Sequence, residues 1–386
     1  MIRVLQVMEA TIGGTRKHLG QLARGLDPDQ FEVVVACSAL RDPDFRGDME
    51  ELRTRGVEVV EIPMQRNIDP RSDAKACSEL RRLMRGRRFH VVHTHSSKAG
   101  VLGRVAALSA GTKKLVHTPH SFAFLHNAEF SARKRRAFLE IERFLGRFTS
   151  SLVAVSEAEK TAAVDHGVVD ASNVRVITNG IEPDLEKSLR PAIDKELENL
   201  DPEQPLIGVV GLLEPAKGQG HLIDALELLR DEFPGLRCLL VGDGSLRPHL
   251  EAQVKVKGLE SVVRFVGQRD RAVDLIARLD LLVIPSLWEG LPYVLLEAMS
   301  LSKPVVAAAV GGCGEVVVDG ETGRLVPSRD SQALAQAIAA LLRDPAGAEQ
   351  MGRRGRERVL ERFPLDRMIR SHEDVYRRVV SGKVAG

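Results

Sequence analysis

The sequence lacks several features that would assign a protein quickly to a class. It has four cysteines among 386 residues, and no two of them stand at a metal-ligand spacing such as Cys-x-x-Cys. Scattered cysteines argue against a disulfide scaffold and against a cysteine-based metal site. We therefore expect reduced thiols in a cytoplasmic protein. The four residues are Cys37, Cys77, Cys238 and Cys313.

A long apolar run and a strong charge of either sign are also missing. No stretch reaches the roughly 20 apolar residues that a transmembrane helix needs. The first ten residues, MIRVLQVMEA, carry charges and predict a strand rather than a signal peptide. The formal net charge is +2, which indicates no polyanionic partner such as nucleic acid.

The sequence does contain an alternation of short apolar runs and longer helical patterns. Hydrophobic residues make up 44% of the chain, enough for complete cores. Runs such as IRVLQVM, FEVVVAC and HVVHTH alternate with helical segments. This pattern is typical of a buried parallel sheet with right-handed crossovers. It stops in a polar, proline-containing stretch and restarts with LIGVVGLL.

We therefore predict an α/β protein of two doubly wound domains that face a cleft, where open α/β folds bind ligands. The C-terminal helix is expected to cross back to the first domain. The predicted parts are a first domain at 1–185, a linker at 186–204, a second domain at 205–362 and a C-terminal helical segment at 363–386.

The stretch LWEGLPYVLLEAM places two glutamates in apolar surroundings. Glu289 follows a predicted strand, and Glu297 lies inside the next predicted helix, where its neighbours look buried. A buried carboxylate needs strong hydrogen-bond donors, and the hydroxyls of a nucleotide ribose would supply two. The alternative is an ion pair between Glu297 and a nearby lysine or arginine.

The longer stretch PSLWEGLPYVLLEAMSLSKPVVAAAVGG resembles the motif of retaining glycosyltransferases of the two-Rossmann GT-B fold, in family 4. The resemblance covers nearly the full chain. It implies that Glu297 binds the donor ribose and that Glu289 contacts the transferred sugar. The neighbouring Gly290 and Leu291 would complete this part of the donor site.

Two further loops resemble the donor site of that family. VVGLLEPAKGQGHLIDAL carries a lysine, Lys217, that the resemblance assigns to the donor phosphates, although a solvated surface lysine is the alternative. The sequence departs from the family at Leu212, where an arginine commonly contacts the diphosphate. Near the N-terminus, Gly13 and Gly14 are expected beside the donor sugar or diphosphate, or else form a tight turn without a ligand.

Four histidines gather at two neighbouring strand ends in HVVHTHSSKAG and LVHTPH: His93, His95, His117 and His120. A metal site is one interpretation, but no cysteine or carboxylate joins them at ligand spacing. We predict no metal. The family resemblance, which is strongest here to enzymes of bacterial surface polysaccharide synthesis, implies that His120 lies near the reacting sugar. The other three are expected to be structural.

The segment SARKRRAFLEIERFLGRF interleaves basic and apolar residues at helical spacing. Such a helix can lie on an anionic membrane, where it would help to reach a lipid-linked acceptor. It is also how an ordinary surface helix packs its apolar stripe. The basic residues of this predicted membrane or acceptor patch are Arg133, Lys134, Arg135, Arg136 and Arg143.

Taken with the resemblance, these residues predict a retaining hexosyl- or N-acetylhexosaminyl-type glycosyltransferase. It would use a nucleoside-diphosphate sugar, with a UDP-sugar favoured, and a glycan acceptor at the cytoplasmic face of the membrane. We expect no cofactor and no metal, since Lys217 and helix N–H groups would stabilise the leaving diphosphate. The alternatives are a nucleotide-sugar 2-epimerase and a non-catalytic nucleotide-sugar-binding subunit, which Leu212 favours. The oligomeric state is not predicted.

Overall fold

The computed structural model describes residues 1–190, 201 and 203–382. The chain forms two compact units. Unit 1 comprises Met1–Asn179 with Leu365–Gly386, and unit 2 comprises Gly180–Pro364. The first segment of unit 1 thus ends at Asn179, earlier than the boundary predicted at 185. Most of the predicted linker at 186–204 lies outside the described residues.

Unit 1 is a parallel sheet covered by helices on both faces. Its described strands lie in the order β3-β2-β1-β4-β5-β6-β7, and all neighbouring pairs are parallel. The strands are β1 (Ile2–Met8), β2 (Phe31–Cys37), β3 (Glu58–Glu61), β4 (Val91–His95), β5 (Leu115–Thr118), β6 (Ser151–Ala154) and β7 (Val174–Val176). The helices are α1 (Gly13–Gly25), α2 (Phe45–Thr54), α3 (Pro70–Arg87), α4 (Ser97–Ala110), α5 (Ala132–Gly146) and α6 (Glu157–Asp165).

Alternate residues of β1 show how the two faces of this sheet are filled. Leu5 and Val7 pack in one cluster with residues of α3 and α4. Val4 and Met8 point to the other face, in clusters that contain residues of α1 and α2. A strand buried on both faces reads as a continuous apolar run. This is why the runs in the sequence predicted a parallel sheet correctly.

Unit 2 repeats the design with a sheet in the order β10-β9-β8-β11-β12-β13. The strands are β8 (Leu206–Val210), β9 (Arg237–Val241), β10 (Val263–Gly267), β11 (Leu281–Ile284), β12 (Val305–Ala308) and β13 (Arg324–Val326). The helices are α7 (Gln219–Leu229), α8 (Arg247–Val256), α9 (Ala272–Ile276), α10 (Tyr293–Ser300), α11 (Cys313–Val316), α12 (Ser331–Arg343) and α13 (Pro345–Arg362).

The last helix, α14 (Leu365–Ser381), belongs to unit 1 although it follows unit 2 in the chain. Its buried face contributes Met368, Ile369 and Tyr376 to the cluster that contains Val4. Glu373 accepts a hydrogen bond from the backbone N–H of Asp27 at 3.0 Å. The predicted return of the C-terminal helix to the first domain is therefore confirmed.

Two smaller predictions can be compared with the structure. The four cysteines are free thiols, three of them buried and Cys77 half-buried. Among the described residues, none of the helices combines the length and the apolar composition needed to cross a lipid bilayer.

The buried contacts of α14 generate a stability prediction. Met368 is 2% exposed, so Met368→Ala should lower the free energy of unfolding by about 2–5 kcal/mol through lost burial and a residual cavity. Urea unfolding followed by circular dichroism measures the loss. The control is Arg378→Ala on the exposed side of the same helix, and equal midpoints for the two variants would contradict the packing of α14 in the core.

Candidate functional site

The candidate site of unit 2 lies where its strand order changes direction. The chain runs from β8 outward to β9 and β10, then returns to add β11 on the other side of β8. In parallel α/β sheets this switch point opens a crevice at the carboxyl ends of the two central strands. The loops that follow β8 and β11 carry Lys217 and Glu289 respectively.

These two residues form one ion pair. The ammonium of Lys217 donates a hydrogen bond to Oε1 of Glu289 at 2.7 Å, and the hydroxyl of Ser286 donates to the same oxygen at 2.7 Å. The side chain of Glu289 is 9% exposed and that of Lys217 is 27% exposed. A largely desolvated carboxylate with two donors is held more firmly than a surface ion pair. The solvated-surface interpretation of Lys217 is therefore wrong.

The loops that carry this pair are locked together by their backbones. The N–H of Leu287 donates to the carbonyl of Ala216 at 2.7 Å. Gly218 adopts a φ of +63°, and a Cβ there would stand 2.1 Å from the carbonyl oxygen of Pro285. Only glycine tolerates both the dihedral and the approach. The Gly-flanked lysine loop in the sequence thus has a packing reason, which the sequence analysis did not give.

A third loop holds the Glu289–Gly290 peptide from the other side. The N–H of Gly312 donates to the carbonyl of Gly290 at 2.7 Å. Gly311, with a φ of +49°, approaches so closely that a Cβ would stand 1.9 Å from the carbonyl oxygen of Glu289. Leu291 is buried just beyond. The predicted donor residues 289–291 therefore lie in a tightly fixed turn between β11 and α10.

Glu297 departs from its prediction in one respect. It lies on α10 after the helix begins at Tyr293, but its side chain is half-buried rather than enclosed on every side. Its neighbours Leu295 and Leu296 are fully buried, so the helix keeps one partly open face. Burial raises the pKa of Tyr293, and the charge of Glu297 adds to that effect. Pro292 is the residue just before the helix.

Leu212, which stands where the family commonly has an arginine, and Arg269 are also placed. Leu212 is half-buried, and its carbonyl accepts a hydrogen bond from the side chain of Gln219 at 2.9 Å. Arg269 follows β10, and β9 lies between that strand and β8 in the sheet. Arg269 donates to the carbonyl of Gln268 at 3.1 Å. The loop that carries Arg269 thus starts two strands away from the loop that carries Lys217.

In unit 1, His120 occupies a strained turn after β5. Its φ is +55° and that of Ser121 is +91°, which side chains other than glycine rarely adopt. The carboxylate of Glu159 accepts hydrogen bonds from the N–H groups of Ser121 at 2.5 Å and of Val155 at 2.8 Å. Such strain persists only where the surroundings enforce it, and it gathers at functional sites.

Glu159 was missed as a site residue by the sequence analysis. The available signal was the Ser-x-x-Glu pattern of a capping box, because Ser156 caps the N-terminus of α6 by accepting from the N–H of Glu159. In a standard box the glutamate returns to its own helix start. Here it also holds the turn of His120.

Six imidazoles gather around this turn, not four. Each has a lowered pKa because burial disfavours the charged ring, and in most of them neighbouring histidines or Arg104 add to the effect. The pKa is about 3 for His120 and about 4 for His372. The rings are therefore neutral at pH 7. The cluster comprises His18, His93, His95, His117, His120 and His372, of which His18 and His372 were missed.

Three of these rings could hold a metal ion. One nitrogen each from His18, His95 and His120 lies within 4.8 Å of the others, and neutral imidazoles are zinc ligands. No carboxylate or cysteine joins this group among the described residues. Nδ1 of His95 and Nε2 of His120 are hydrogen-bonded to each other at 3.2 Å. The absence of a metal requirement stays a prediction.

Gly13 and Gly14 are exposed where α1 begins, and Gly13 has a φ of +55°. They follow β1, whereas His120 follows β5, and β4 lies between these strands. Because the strands are parallel, the glycines and His120 stand on the same edge of the sheet. Their contact with a donor stays a prediction.

The predicted basic patch falls on α5. Arg133, Lys134 and Arg136 are exposed. Arg143 differs, because its guanidinium donates to the carbonyl of His166 at 2.7 Å and to Glu140 at 2.8 Å. It thereby ties α5 to a neighbouring loop, and its assignment to the patch stays a prediction. Arg135 is half-buried.

The apolar residues of α5 divide into two groups. Phe138 and Leu139 pack against a buried cluster, whereas Ile141, Phe144 and, just beyond the end of the helix, Phe148 are 40–56% exposed. The exposed group continues into a shallow groove of about 410 Å³ between α4 and α5. We call this apolar surface the α5 face. The groove is lined by Val101, Val105, Glu140, Ile141, Phe144 and Leu145.

Comparison with known proteins decides the family. The model described as glycosyl transferases group 1 matches residues 192–358, and that of the glycosyl transferase 4-like domain matches 13–180. Alpha-maltose-1-phosphate synthase of Mycobacterium tuberculosis (strain CDC 1551 / Oshkosh) is 30% identical over 310 residues, 75% of this chain and 79% of that protein. The chain belongs to the glycosyl transferases group 1 family.

Two further relatives of this group 1 glycosyltransferase match it almost end to end. The UDP-Gal:alpha-D-GlcNAc-diphosphoundecaprenol alpha-1,3-galactosyltransferase of Escherichia coli is 28% identical over 98% of this chain and 97% of that enzyme. The Anabaena protein HepE, solved with UDP and glucose, is 26% identical with a TM-score of 0.81, over 97% of this chain and 99% of that one. The family resemblance and the two Rossmann-like domains of the GT-B fold are thus confirmed.

The histidine cluster of this glycosyltransferase predicts acid sensitivity. Below the ordinary histidine pKa of 6.5, the unfolded chain binds protons that the buried rings do not. The free energy of unfolding should therefore fall as pH drops, by about 1.4 kcal/mol per pH unit for each such histidine. The loss ends only near the lowered pKa values of the folded state. Urea unfolding between pH 7.5 and 5 measures the slope.

A pair of variants checks the source of that slope. His372→Gln should make it shallower by the share of one histidine. His249→Gln, at an exposed position of α8, should leave it unchanged. Identical slopes in wild type and His372→Gln would show that the buried cluster does not cause the acid sensitivity.

Proposed function

We propose that this chain is a retaining glycosyltransferase that moves a hexosyl or N-acetylhexosaminyl group from a UDP-sugar to a sugar hydroxyl of a lipid-linked glycan. The product would be part of a bacterial surface polysaccharide. The observation that carries the proposal is the Lys217–Glu289 ion pair at the switch point of unit 2. Support for donor and acceptor comes from relatives whose names specify UDP-galactose, a diphosphoundecaprenol-linked acceptor, and UDP with glucose.

Each residue of the unit 2 site has a proposed role. Lys217 is the cation beside the leaving diphosphate, because a lysine next to helix N–H groups favours phosphate. Glu297 accepts hydrogen bonds from the ribose hydroxyls through the partly open face of α10. Glu289 receives hydroxyls of the transferred sugar once the donor diphosphate competes for Lys217. The fixed turn at 289–291 would hold these groups in position.

The proposed step breaks the bond between the anomeric carbon and the β-phosphate oxygen, and the bonding electrons leave with UDP. The acceptor hydroxyl oxygen forms the new bond on the same face of an oxocarbenium-like carbon. Its proton passes to an oxygen of the leaving phosphate. Lys217 stabilises the charge that develops there. His120 in unit 1 would orient the sugar by hydrogen bonds as a neutral ring.

Calorimetric titration with UDP, GDP, ADP and dTDP tests the donor site. We expect UDP to bind most tightly, and Glu297→Ala to weaken it about tenfold or more because a charge-assisted bond to two hydroxyls is lost. The control is Glu260→Ala, an exposed glutamate of unit 2, which should bind like wild type. Binding of none of the four nucleotides would favour a non-catalytic protein whose phosphate site is disabled at Leu212.

His120→Ala should lower turnover rather than the affinity for UDP. We expect turnover to fall by about 100-fold, the lower end of what a positioned acid–base or hydrogen-bonding group contributes, while UDP affinity stays within twofold of wild type. Initial rates with a UDP-sugar and a polyprenyl-diphosphate sugar acceptor measure turnover. An equal loss of UDP affinity in His120→Ala and Glu297→Ala would contradict this division of roles. Conversion of the donor without acceptor would instead indicate an epimerase.

The α5 face supports the proposed lipid-linked acceptor. Phe144 and Phe148 are 56% and 44% exposed, and they belong to the same segment as the exposed cations Arg133, Lys134 and Arg136. Apolar side chains that enter the acyl boundary, with cations that meet anionic headgroups, are the two elements of interfacial binding. We therefore place the membrane contact on α5 and leave Arg143 out of it.

Replacing the three exposed cations of α5 by alanine should reduce binding to phosphatidylglycerol-containing vesicles. At about 1 kcal/mol for each cation near an anionic surface, the expected loss is on the order of 100-fold. Vesicle flotation at physiological ionic strength measures it. The variant carries Arg133→Ala, Lys134→Ala and Arg136→Ala.

The matched control removes three exposed arginines from α3 instead. It should bind the vesicles like wild type, which shows that position and not total charge decides. Equal losses in the two triple variants would refute the placement on α5. The control carries Arg81→Ala, Arg82→Ala and Arg85→Ala.

A further inference from the structure

A continuous hydrogen-bond path joins the C-terminal helix to His120. The hydroxyl of Tyr376 lies 2.9 Å from Nε2 of Gln6, and Oε1 of Gln6 lies 2.8 Å from Nε2 of His95. Nδ1 of His95 lies 3.2 Å from Nε2 of His120. A branch from the Tyr376 hydroxyl reaches Nδ1 of His93 at 2.7 Å. The path thus runs from α14 through β1 and β4 to the turn after β5.

Most groups of this path are buried, so water cannot replace their hydrogen-bond partners. Gln6, His93, His95 and Tyr376 are all 0% exposed. Burial raises the pKa of Tyr376 and lowers the pKa of the histidines, so the phenol keeps its proton and each ring carries a single one. A neutral imidazole has one N–H donor and one acceptor nitrogen. Every hydrogen bond in the path therefore fixes a proton position in the next group.

The directions follow from the chemistry of the amide. Nε2 of Gln6 can only donate, so the Tyr376 oxygen accepts a hydrogen bond from it. The Tyr376 hydroxyl in turn donates a hydrogen bond to Nδ1 of His93. His93 then carries its proton on Nε2, which donates to the hydroxyl of Thr118 at 2.8 Å. Oε1 of Gln6 can only accept, so His95 carries its proton on Nε2. Nδ1 of His95 is left to accept from Nε2–H of His120.

We propose that Tyr376 is a positioning residue that sets the tautomer of His120 through Gln6 and His95. The three rings on the path, His93, His95 and His120, then all hold the proton on Nε2. Nδ1 of His120 keeps its lone pair. Among the described residues nothing hydrogen-bonds to that nitrogen, which is free to accept from a sugar hydroxyl.

This inference deepens the proposed function, because the value of a fixed tautomer at His120 depends on a sugar bound there. It also gives the return of α14 to unit 1 a role beyond packing. The strained backbone of the turn fixes where the ring stands, and the path fixes which nitrogen is the acceptor. An unconstrained neutral imidazole would divide its population between two tautomers, and one of them would present a donor to the same hydroxyl.

The experiment is two-bond ¹H–¹⁵N correlation spectroscopy of the full chain with ¹⁵N-labelled histidine at pH 7.5. The pattern of cross-peaks distinguishes the two neutral tautomers. Signals of the three rings are assigned from the variants His93→Gln, His95→Gln and His120→Gln. In wild type we expect the Nε2–H pattern for all three. In Tyr376→Phe, which keeps the ring and removes the hydroxyl, we expect a mixed pattern for His120.

Val375→Ala is the matched control, since Val375 is buried beside Tyr376 on α14 but takes no part in the path. It should destabilise unit 1 and leave the tautomers unchanged. Turnover in Tyr376→Phe should fall about 3- to 10-fold, with the KM for the donor unchanged. Preservation of the His120 pattern in Tyr376→Phe, or an Nδ1–H pattern in wild type, would overturn the proposal.

The spectra need no substrate, so they remain informative if the proposed function fails. A chain that binds no UDP yet shows the three Nε2–H patterns and the response to Tyr376→Phe supports the path and refutes only its use in catalysis. Loss of the His120 pattern in Val375→Ala as well would overturn the specific role of the hydroxyl, because general loosening of α14 would then suffice.

Discussion

Parallel pairing of the strands is the constraint on which the rest of the structure depends. Each sheet has all of its described strands parallel, so every strand ends on the same edge and every following loop starts there. Residues far apart in the chain then become neighbours without any local signal. Lys217 and Glu289 meet across 72 positions, and the rings of His95 and His120 meet across 25.

The balance between desolvation cost and attraction in the Lys217–Glu289 pair suits a binding site. Two charges that are largely withdrawn from water cost desolvation energy, which their attraction and the Ser286 hydroxyl offset. A diphosphate brought to Lys217 would replace one carboxylate by a group of higher charge. Glu289 would then need new donors, which sugar hydroxyls can supply. In this account one ion pair keeps both side chains ordered before the donor arrives and becomes two ligand contacts afterwards.

The fold could be predicted from the sequence because strands buried on both faces are largely apolar runs, as in β1, where Arg3 and Gln6 are the polar exceptions. The partners of the site residues could not, because ion pairs such as Lys217–Glu289 depend on strand order rather than on spacing. Glu297 was expected to be enclosed because its neighbours are apolar, yet a helix of eight residues can bury them and leave one face partly open. Arg143 shows the same limit, since helical spacing does not tell which side chain reaches a neighbouring carbonyl.

The most direct test of the role of the Lys217–Glu289 pair compares UDP affinity in Lys217→Met and Glu289→Gln by calorimetry. UDP has the phosphates but lacks the transferred sugar. Its affinity therefore probes the contact proposed for Lys217 and not the sugar contact proposed for Glu289. We expect different responses: Lys217→Met should weaken UDP binding about tenfold or more, whereas Glu289→Gln should leave it unchanged or strengthen it by releasing Lys217. Equal weakening in both variants would mean that the pair is only a structural tie between two loops, and would contradict its role as a pair that the donor separates.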